Sequence, residues 1–258
     1  MGNHVVTEKQ GSIAYIIMNR PEKRNALNGE MVDGLLTALD LVERDEEVRA
    51  VILKGEGKVF CSGADLEDIK KMEANGFEEN LADSRHLKTL FYKIYTFPKV
   101  VIAQVHGHAV AGGCGLVAVC DFSFVVPSAF MGYTEVRIGF VPAMVLVFLL
   151  RKIGEGAAKS LLLGGELVAG EKAKELGLVN DVFETEELEG KVKAFAEGLV
   201  KQNSGQSLAL TKEMIAKVQE MDLEEALDYA AHMNAKARGN EDCKRGIAAF
   251  LEKKSIEW

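Results

Sequence analysis

Over its first two hundred residues the chain alternates short β-branched runs with stretches of helical periodicity, an order that few architectures can accommodate. Ile13–Met18 and Ala50–Leu53 read as buried strands, joined by a helix from about Asn28 to Arg44. Val100–Val105 and Phe122–Val126 read as further strands. Between them the small-residue segment His106–Gly115 runs into Leu116–Cys120, an apolar stretch expected on a buried helix. Beyond Val182 there is no strand candidate. Glu186–Lys201, Ser207–Glu220 and Leu223–Arg238 are instead charged amphipathic patterns. The expectation is an α/β fold with a helical C-terminal region packed on it, and no repeat of fixed period.

Composition narrows the function classes. With 258 residues, 48% of them hydrophobic and 27% charged, the chain can bury a sizeable core. A net charge of −8 without a basic stripe leaves no footprint for nucleic acid or an anionic membrane surface. The longest apolar stretch, 138–150, contains Gly139 and Pro142 and falls short of the roughly twenty residues a membrane span needs. No basic and then apolar leader opens the chain, so a cytoplasmic location is expected. Cys61, Cys114, Cys120 and Cys243 form no Cys-x-x-Cys pair and have no His at zinc spacing. Reduced, mostly buried thiols and no metal site are expected.

Glycine, at 25 residues against four prolines, clusters at Gly55–Gly63 and Gly107–Gly115, each cluster following a strand where open α/β sheets build ligand sites. Ser62-Gly63-Ala64-Asp65-Leu66 opens a helix, and its N–H groups are candidates to receive an anion or a developing oxyanion. The same residues also fit an ordinary strand-turn-helix joint capped by Asp65. Ala111-Gly112-Gly113 offers a second set of donors at a helix N-terminus, where missing side chains let a ligand carbonyl approach. Glu135, embedded in the apolar, glycine-flanked run Met131–Pro142, is the best acid/base candidate, because burial would raise its pKa. A salt bridge to Arg137 is the competing reading of that residue. His106 and His108 flank Gly107 without a nucleophile elbow or a third metal ligand and are assigned no direct chemistry.

Taken together, Asn19–Leu27, Phe60–Leu66, Gly107–Asp121, Gly132–Pro142 and Gly246–Lys254 resemble, in order and over essentially the whole chain, the enoyl-CoA hydratase/isomerase (crotonase) family. The likeness is greatest to its bacterial methylglutaconyl-CoA hydratase-like subset. The resemblance implies a ClpP-like spiral of ββα units over residues 1–190 and a helical trimerisation region over 191–258, in a homotrimer or homohexamer. It implies an acyl-CoA thioester whose oxygen is held by the N–H groups of Ala64 and Gly112, with no cofactor beyond the coenzyme A of the substrate. Arg24, Ala26, Ser62, Asp65 and Leu66, the last two with Ala64 through their backbone, resemble coenzyme A contacts. Gly113 and Gly115 are expected beside the substrate, and Phe250 and Lys253 resemble residues lent by a neighbouring subunit. The segment 69–91, charged and interrupted by Gly76, is expected to be mobile and to line the acyl pocket with Met144–Phe148.

One position departs from the pattern. Typical hydratases of this family hold the attacking water between two glutamates, and the first of these is Gly115 here. A glycine cannot exchange a proton, so Glu135 must serve alone. Hydration of an enoyl-CoA is the leading expectation. A 3-enoyl to 2-enoyl-CoA isomerase with one proton shuttle comes second, and a decarboxylase or other enolate-forming reaction third. A non-catalytic CoA-binding scaffold is the alternative of a different class.

Overall fold

The computed structural model describes residues 4–258, with the backbone alone at Lys71 and Met72. β1 (Val5–Gln10) and β2 (Ile13–Met18) form an antiparallel hairpin turned at Gly11, whose φ is 59°. Asn28 then caps α1 (Gly29–Arg44) by accepting the Met31 N–H at 2.9 Å. Met31, Leu35, Ala38, Leu39 and Val42 recur along the buried face of this helix. Three strand pairs follow: β3 (Ala50–Gly55) with β4 (Val59–Cys61), β5 (Val100–Val105) with β6 (His108–Val110), and β7 (Phe122–Val125) with β8 (Phe130–Gly132). Behind β4 come α2 (Leu66–Ala74) and α3 (Phe77–Thr96), and behind β6 comes α4 (Gly112–Val119). Behind β8 a short 3-10 helix, Glu135–Ile138, leads into α5 (Ala143–Gly164), which is interrupted at Gly154. β9 (Leu167–Ala169), α6 (Gly170–Glu175) and β10 (Asp181–Val182) complete the sheets.

In each strand pair the first member joins one sheet and the second member joins another. The orders are β1-β2-β3-β5-β7-β10 and β4-β6-β8-β9. Parallel pairing of β3 with β5 and β5 with β7, matched by β4 with β6 and β6 with β8, advances the chain one strand per unit. The result is the expected spiral of ββα units, and it stacks the loops that follow β4, β6 and β8 beside one another. β2 and β5 are buried along their whole length, which explains why the sequence shows them as unbroken apolar runs.

The C-terminal part is helical: α7 (Thr185–Gln202), α8 (Gly205–Val218), α9 (Leu223–Gly239) and α10 (Glu241–Leu251). The expected division at residue 190 falls inside α7. Leu188, Val192, Ala196 and Val200 lie on the buried face of this helix, which packs on β3, β5 and β7, so α7 belongs to the core and the outlying helices begin at α8. The charged segment expected to be mobile folds as α2 and α3. Its apolar anchor, Leu90, Phe91 and Ile94, is concentrated in the last two turns of α3, which is why the charged residues before it gave no clear period. No helix among the described residues is long and apolar enough to cross a membrane.

One buried cation ties α8 to the core. Lys212 Nζ donates to the carbonyls of Ile94 and Lys99, each at 3.2 Å, and to Asp121 Oδ2 at 2.6 Å; the same Asp121 oxygen accepts the Val101 N–H. Lys212→Ala would take one donor from each of two carbonyls and leave a largely covered carboxylate without this cation. We expect it to lower stability by about 3 kcal/mol, read from urea denaturation.

Candidate active site

Four segments meet at the N-terminus of α4. The first is the turn 20–27, in which Arg24 and Asn25 hold left-handed φ values of 56° and 53°. The wholly buried Asn25 amide fixes it. Asn25 Oδ1 accepts the Arg20 N–H at 2.9 Å, and Nδ2 donates to the carbonyls of Glu56 and Val59, each at 2.9 Å. The turn then runs beside the second segment: Leu27 N–H reaches Gly63 O at 2.7 Å, and Asp65 N–H reaches Leu27 O at 3.1 Å. Pairing of this kind engages residues 63 and 65 and turns the Ala64 N–H to the other side, where it meets no main-chain acceptor among the described residues.

The third segment is the joint between β6 and α4. Ala111 sits at φ 52°, ψ −123°, a conformation rare outside glycine that costs roughly 1–3 kcal/mol and persists only where its surroundings impose it. Here the Ala111 N–H is held by Gly132 O at 2.8 Å, and its carbonyl accepts the Gly115 N–H at 2.9 Å. The kink presents the Gly112 N–H at the start of the helix, again without a main-chain acceptor among the described residues. The second and third segments touch: a methyl group placed on Gly63 would come within 2.9 Å of Ala111 Cβ and 3.4 Å of Gly112 N. Two unengaged N–H groups from separate loops therefore lie side by side, next to the positive end of α4.

The fourth segment follows β8 and carries Glu135. Among the described residues no cation pairs with it, so the salt bridge to Arg137 does not form, and Glu135 Oε2 is buried without a hydrogen-bond partner. Burial pushes its carboxyl above the usual carboxylate range, against the pull of the main-chain N–H groups of Glu135 and Thr134. Beneath it lie the wholly buried Tyr133 and the Cys114 thiol of α4, which burial drives up to about 12. Lys152 of α5 stands one layer back, donating to the carbonyls of Val117 and Cys120 at the C-terminal end of α4.

The remaining expected site residues fall into three groups. Arg24 and Leu66 are exposed on the rim, while Ser62 is half-buried with its N–H on Arg24 O at 3.1 Å, and Ala26 is buried. Asp65 has its carboxylate committed: Oδ2 takes Arg20 Nη1 at 2.5 Å and Oδ1 takes the Glu67 N–H at 2.8 Å, so it caps α2, and its carbonyl accepts the Ile69 N–H at 3.0 Å. Gly113 and Gly115 are packing positions, not open contacts. A methyl group on Gly113 would collide with the Cys61 carbonyl, and one on Gly115 would overlap Val145 Cγ1 and press on Phe91. Phe250 and Lys253 lie at the end of α10, whose main contacts are with α8 and α9, so a single chain does not bring them to the site. His106 and His108 serve the backbone: the first bonds Gly57 O at 3.0 Å and the second accepts the Phe130 N–H at 2.9 Å.

Sequence reasoning missed Asn25 and Tyr133 as site-building residues, and it named Ala111 and Val145 within longer segments without the roles the structure gives them. Asn25 and Ala111 act through backbone conformations that their identities do not announce, while Tyr133 and Val145 matter only through what folding brings against them.

The sequence profile of the enoyl-CoA hydratase/isomerase family matches residues 8–258. A Thermus thermophilus protein described as an enoyl-CoA hydratase is 46% identical over 250 residues, covering 97% of this chain and 98% of that protein. The short-chain-enoyl-CoA hydratase of Clostridium acetobutylicum is 33% identical, covering 99% of this chain and 97% of the relative. The crystal structure of an enoyl-CoA hydratase from Mycobacterium smegmatis superposes with a TM-score of 0.92 at 32% identity, covering 99% and 98% of the two chains. Spiral, site loops and full-length likeness agree, and the chain belongs to the enoyl-CoA hydratase/isomerase family.

Proposed function

We propose that this chain is an enoyl-CoA hydratase-type enzyme that adds water across the α,β double bond of an acyl-CoA thioester. The observation that carries the reading is Glu135: a half-buried carboxyl with a raised pKa and no cation beside it among the described residues, its Oε2 buried without a partner, set against a joint where two N–H donors stand free. Water attacks the β carbon and gives a proton to the Glu135 carboxylate. The electron pair displaced from the double bond moves onto the thioester oxygen, held by Ala64 and Gly112. Glu135 then returns a proton to the α carbon, so the net change is one H and one OH added. Losing one such donor in comparable oxyanion sites costs about 3 kcal/mol.

The chemistry needs only one carboxyl if that carboxyl works in both directions. For the same reason the lone Glu135 also favours a second reading, a 3-enoyl to 2-enoyl isomerase, in which it moves a proton from the α to the γ carbon. We take the acyl group to be short, branched or carboxylated, with Arg24, Ala26, Ser62, Leu66 and the main chain at Asp65 toward coenzyme A. No further cofactor and a cytoplasmic location belong to this reading. So does assembly as a homotrimer or homohexamer, in which a neighbour supplies Phe250 and Lys253. Phe250 is 81% exposed within one chain, beside exposed Ile247 and Leu251, an apolar face that association would cover.

Incubation with 2-enoyl-CoA and 3-enoyl-CoA thioesters is expected to yield product heavier by one water from the 2-enoyl substrates, read by mass spectrometry; migration of the double bond at constant mass would select the isomerase. Glu135→Gln should lower kcat by about a hundredfold or more with acyl-CoA binding kept, and loss of less than about tenfold would remove it as the acid/base. Because the carboxylate is the active form and its pKa is raised, wild-type kcat/KM should fall with decreasing pH along a limb lying above the ordinary Glu value of about 4.3.

Gly115→Glu alone should destabilise the fold by roughly 1–3 kcal/mol through overpacking against Val145. Combined with Val145→Gly it should recover stability and raise crotonyl-CoA hydration, as thermal melts and initial rates will show. Phe250→Ala should raise KM for acyl-CoA by about fivefold or more with little change in kcat. Unchanged KM in a protein of trimer mass by ultracentrifugation would take Phe250 out of the pocket.

A further inference from the structure

Four buried side-chain oxygens among the described residues lack a hydrogen-bond partner: Asn80 Oδ1, Gln104 Oε1, Tyr133 Oη and Glu135 Oε2. The last two lie two residues apart and at the same site. Tyr133 is wholly buried, and its polar neighbours are the Cys114 thiol, a weak partner at the edge of hydrogen-bond reach, and the Glu135 carboxyl, to which its hydroxyl makes no hydrogen bond. One of the two orphans is a donor and the other an acceptor, so they are complementary halves of a single hydrogen bond.

A phenylalanine would fill the same space without an unpaired hydroxyl, so a tyrosine here carries a free-energy penalty that packing does not explain. The missing first glutamate supplies a reason. With Gly115 sealed beneath Val145 and Phe91, α4 contributes no polar group to orient the reacting carboxyl. From this juxtaposition we propose that Tyr133 is a positioning residue for Glu135: when acyl-CoA fills the site, its hydroxyl donates to Glu135 Oε2 and fixes the carboxylate toward the substrate double bond.

The inference rests on the reading of Glu135 as acid/base given above. Burial, followed by the adjacent Cys114 sulfur and the Glu135 carboxylate, holds the phenol well above its usual range, so Tyr133 stays protonated and serves as a donor. It exchanges no proton with the substrate. The titratable groups around this space are Cys114 from α4 and Glu135 itself, with Lys152 of α5 behind them, committed to the C-terminal carbonyls of α4.

Tyr133→Phe tests the proposal. Expected are a kcat lower by about tenfold or more with KM nearly unchanged, a melting temperature equal to or above wild type, and an acid limb of kcat moved to higher pH. The sign follows from the hydrogen bond: a donor favours the carboxylate and lowers its pKa in the complex, so its loss raises that pKa. A kcat within twofold of wild type with the limb in place overturns the proposal and leaves the hydroxyl a buried orphan. A second readout needs no turnover. In protein labelled with 13C at Glu carboxyls and saturated with butyryl-CoA, which has no double bond to hydrate, the Glu135 resonance, assigned through Glu135→Gln, should titrate at lower pH in wild type than in Tyr133→Phe. Coincident titrations overturn the proposal. If wild type hydrates no enoyl-CoA and yet the two titrations differ, the reaction assignment fails while the Tyr133–Glu135 contact stands.

Discussion

Two loops meet backbone to backbone at Gly63 and the 111–112 peptide, and most of the local architecture follows from the need to keep them there. Side chains would hold them apart, so one partner is glycine, and Gly113 one residue later lets α4 rest on the Cys61 carbonyl. The Ala111 kink is what brings its neighbour's N–H round to the contact. Its strain is sustained by β8, which holds the Ala111 N–H through Gly132, and the Asn25 amide grips the run into β4 through the carbonyls of Glu56 and Val59. Removing water from this joint strengthens the field of the free N–H groups toward an oxygen that gains charge.

The same packing explains why the site carries one carboxyl. Gly115 is not a position from which a side chain has merely been deleted, because Val145 and Phe91 occupy the volume that a longer residue would need. Phe148 extends the layer, meeting Phe91 edge-on at 6.4 Å and Tyr95 at 5.1 Å between ring centroids. α3, α4 and α5 thus form a continuous apolar wall, and the polarity of the site is concentrated on the Glu135 side.

Legibility in the sequence tracked burial. β2 and β5 announced themselves to the residue because both faces are covered and every position is apolar, and α1 was readable because its buried stripe is regular and Asn28 caps it. β4, β6, β8 and β9, at three residues each, are too short for any periodicity to emerge, although they carry the site loops. Glycine spacing located the donor joints, and an isolated carboxylate in an apolar run located Glu135. Which glycine leaves its N–H free and which merely admit a neighbouring element was hidden, because Gly112, Gly113 and Gly115 look alike in sequence and differ only in what folding sets against them.

The cysteines have a consequence of their own. Cys61, Cys114 and Cys120 are buried, and burial drives each thiol up to about 12, so at neutral pH all three stay thiols. Cys114 borders the Glu135 carboxyl, yet electrophiles and peroxide should pass it by. Cys243, half-exposed on α10, is the thiol left open to chemistry. A maleimide dye should therefore report on the C-terminal helices and leave the joint at the N-terminus of α4 untouched.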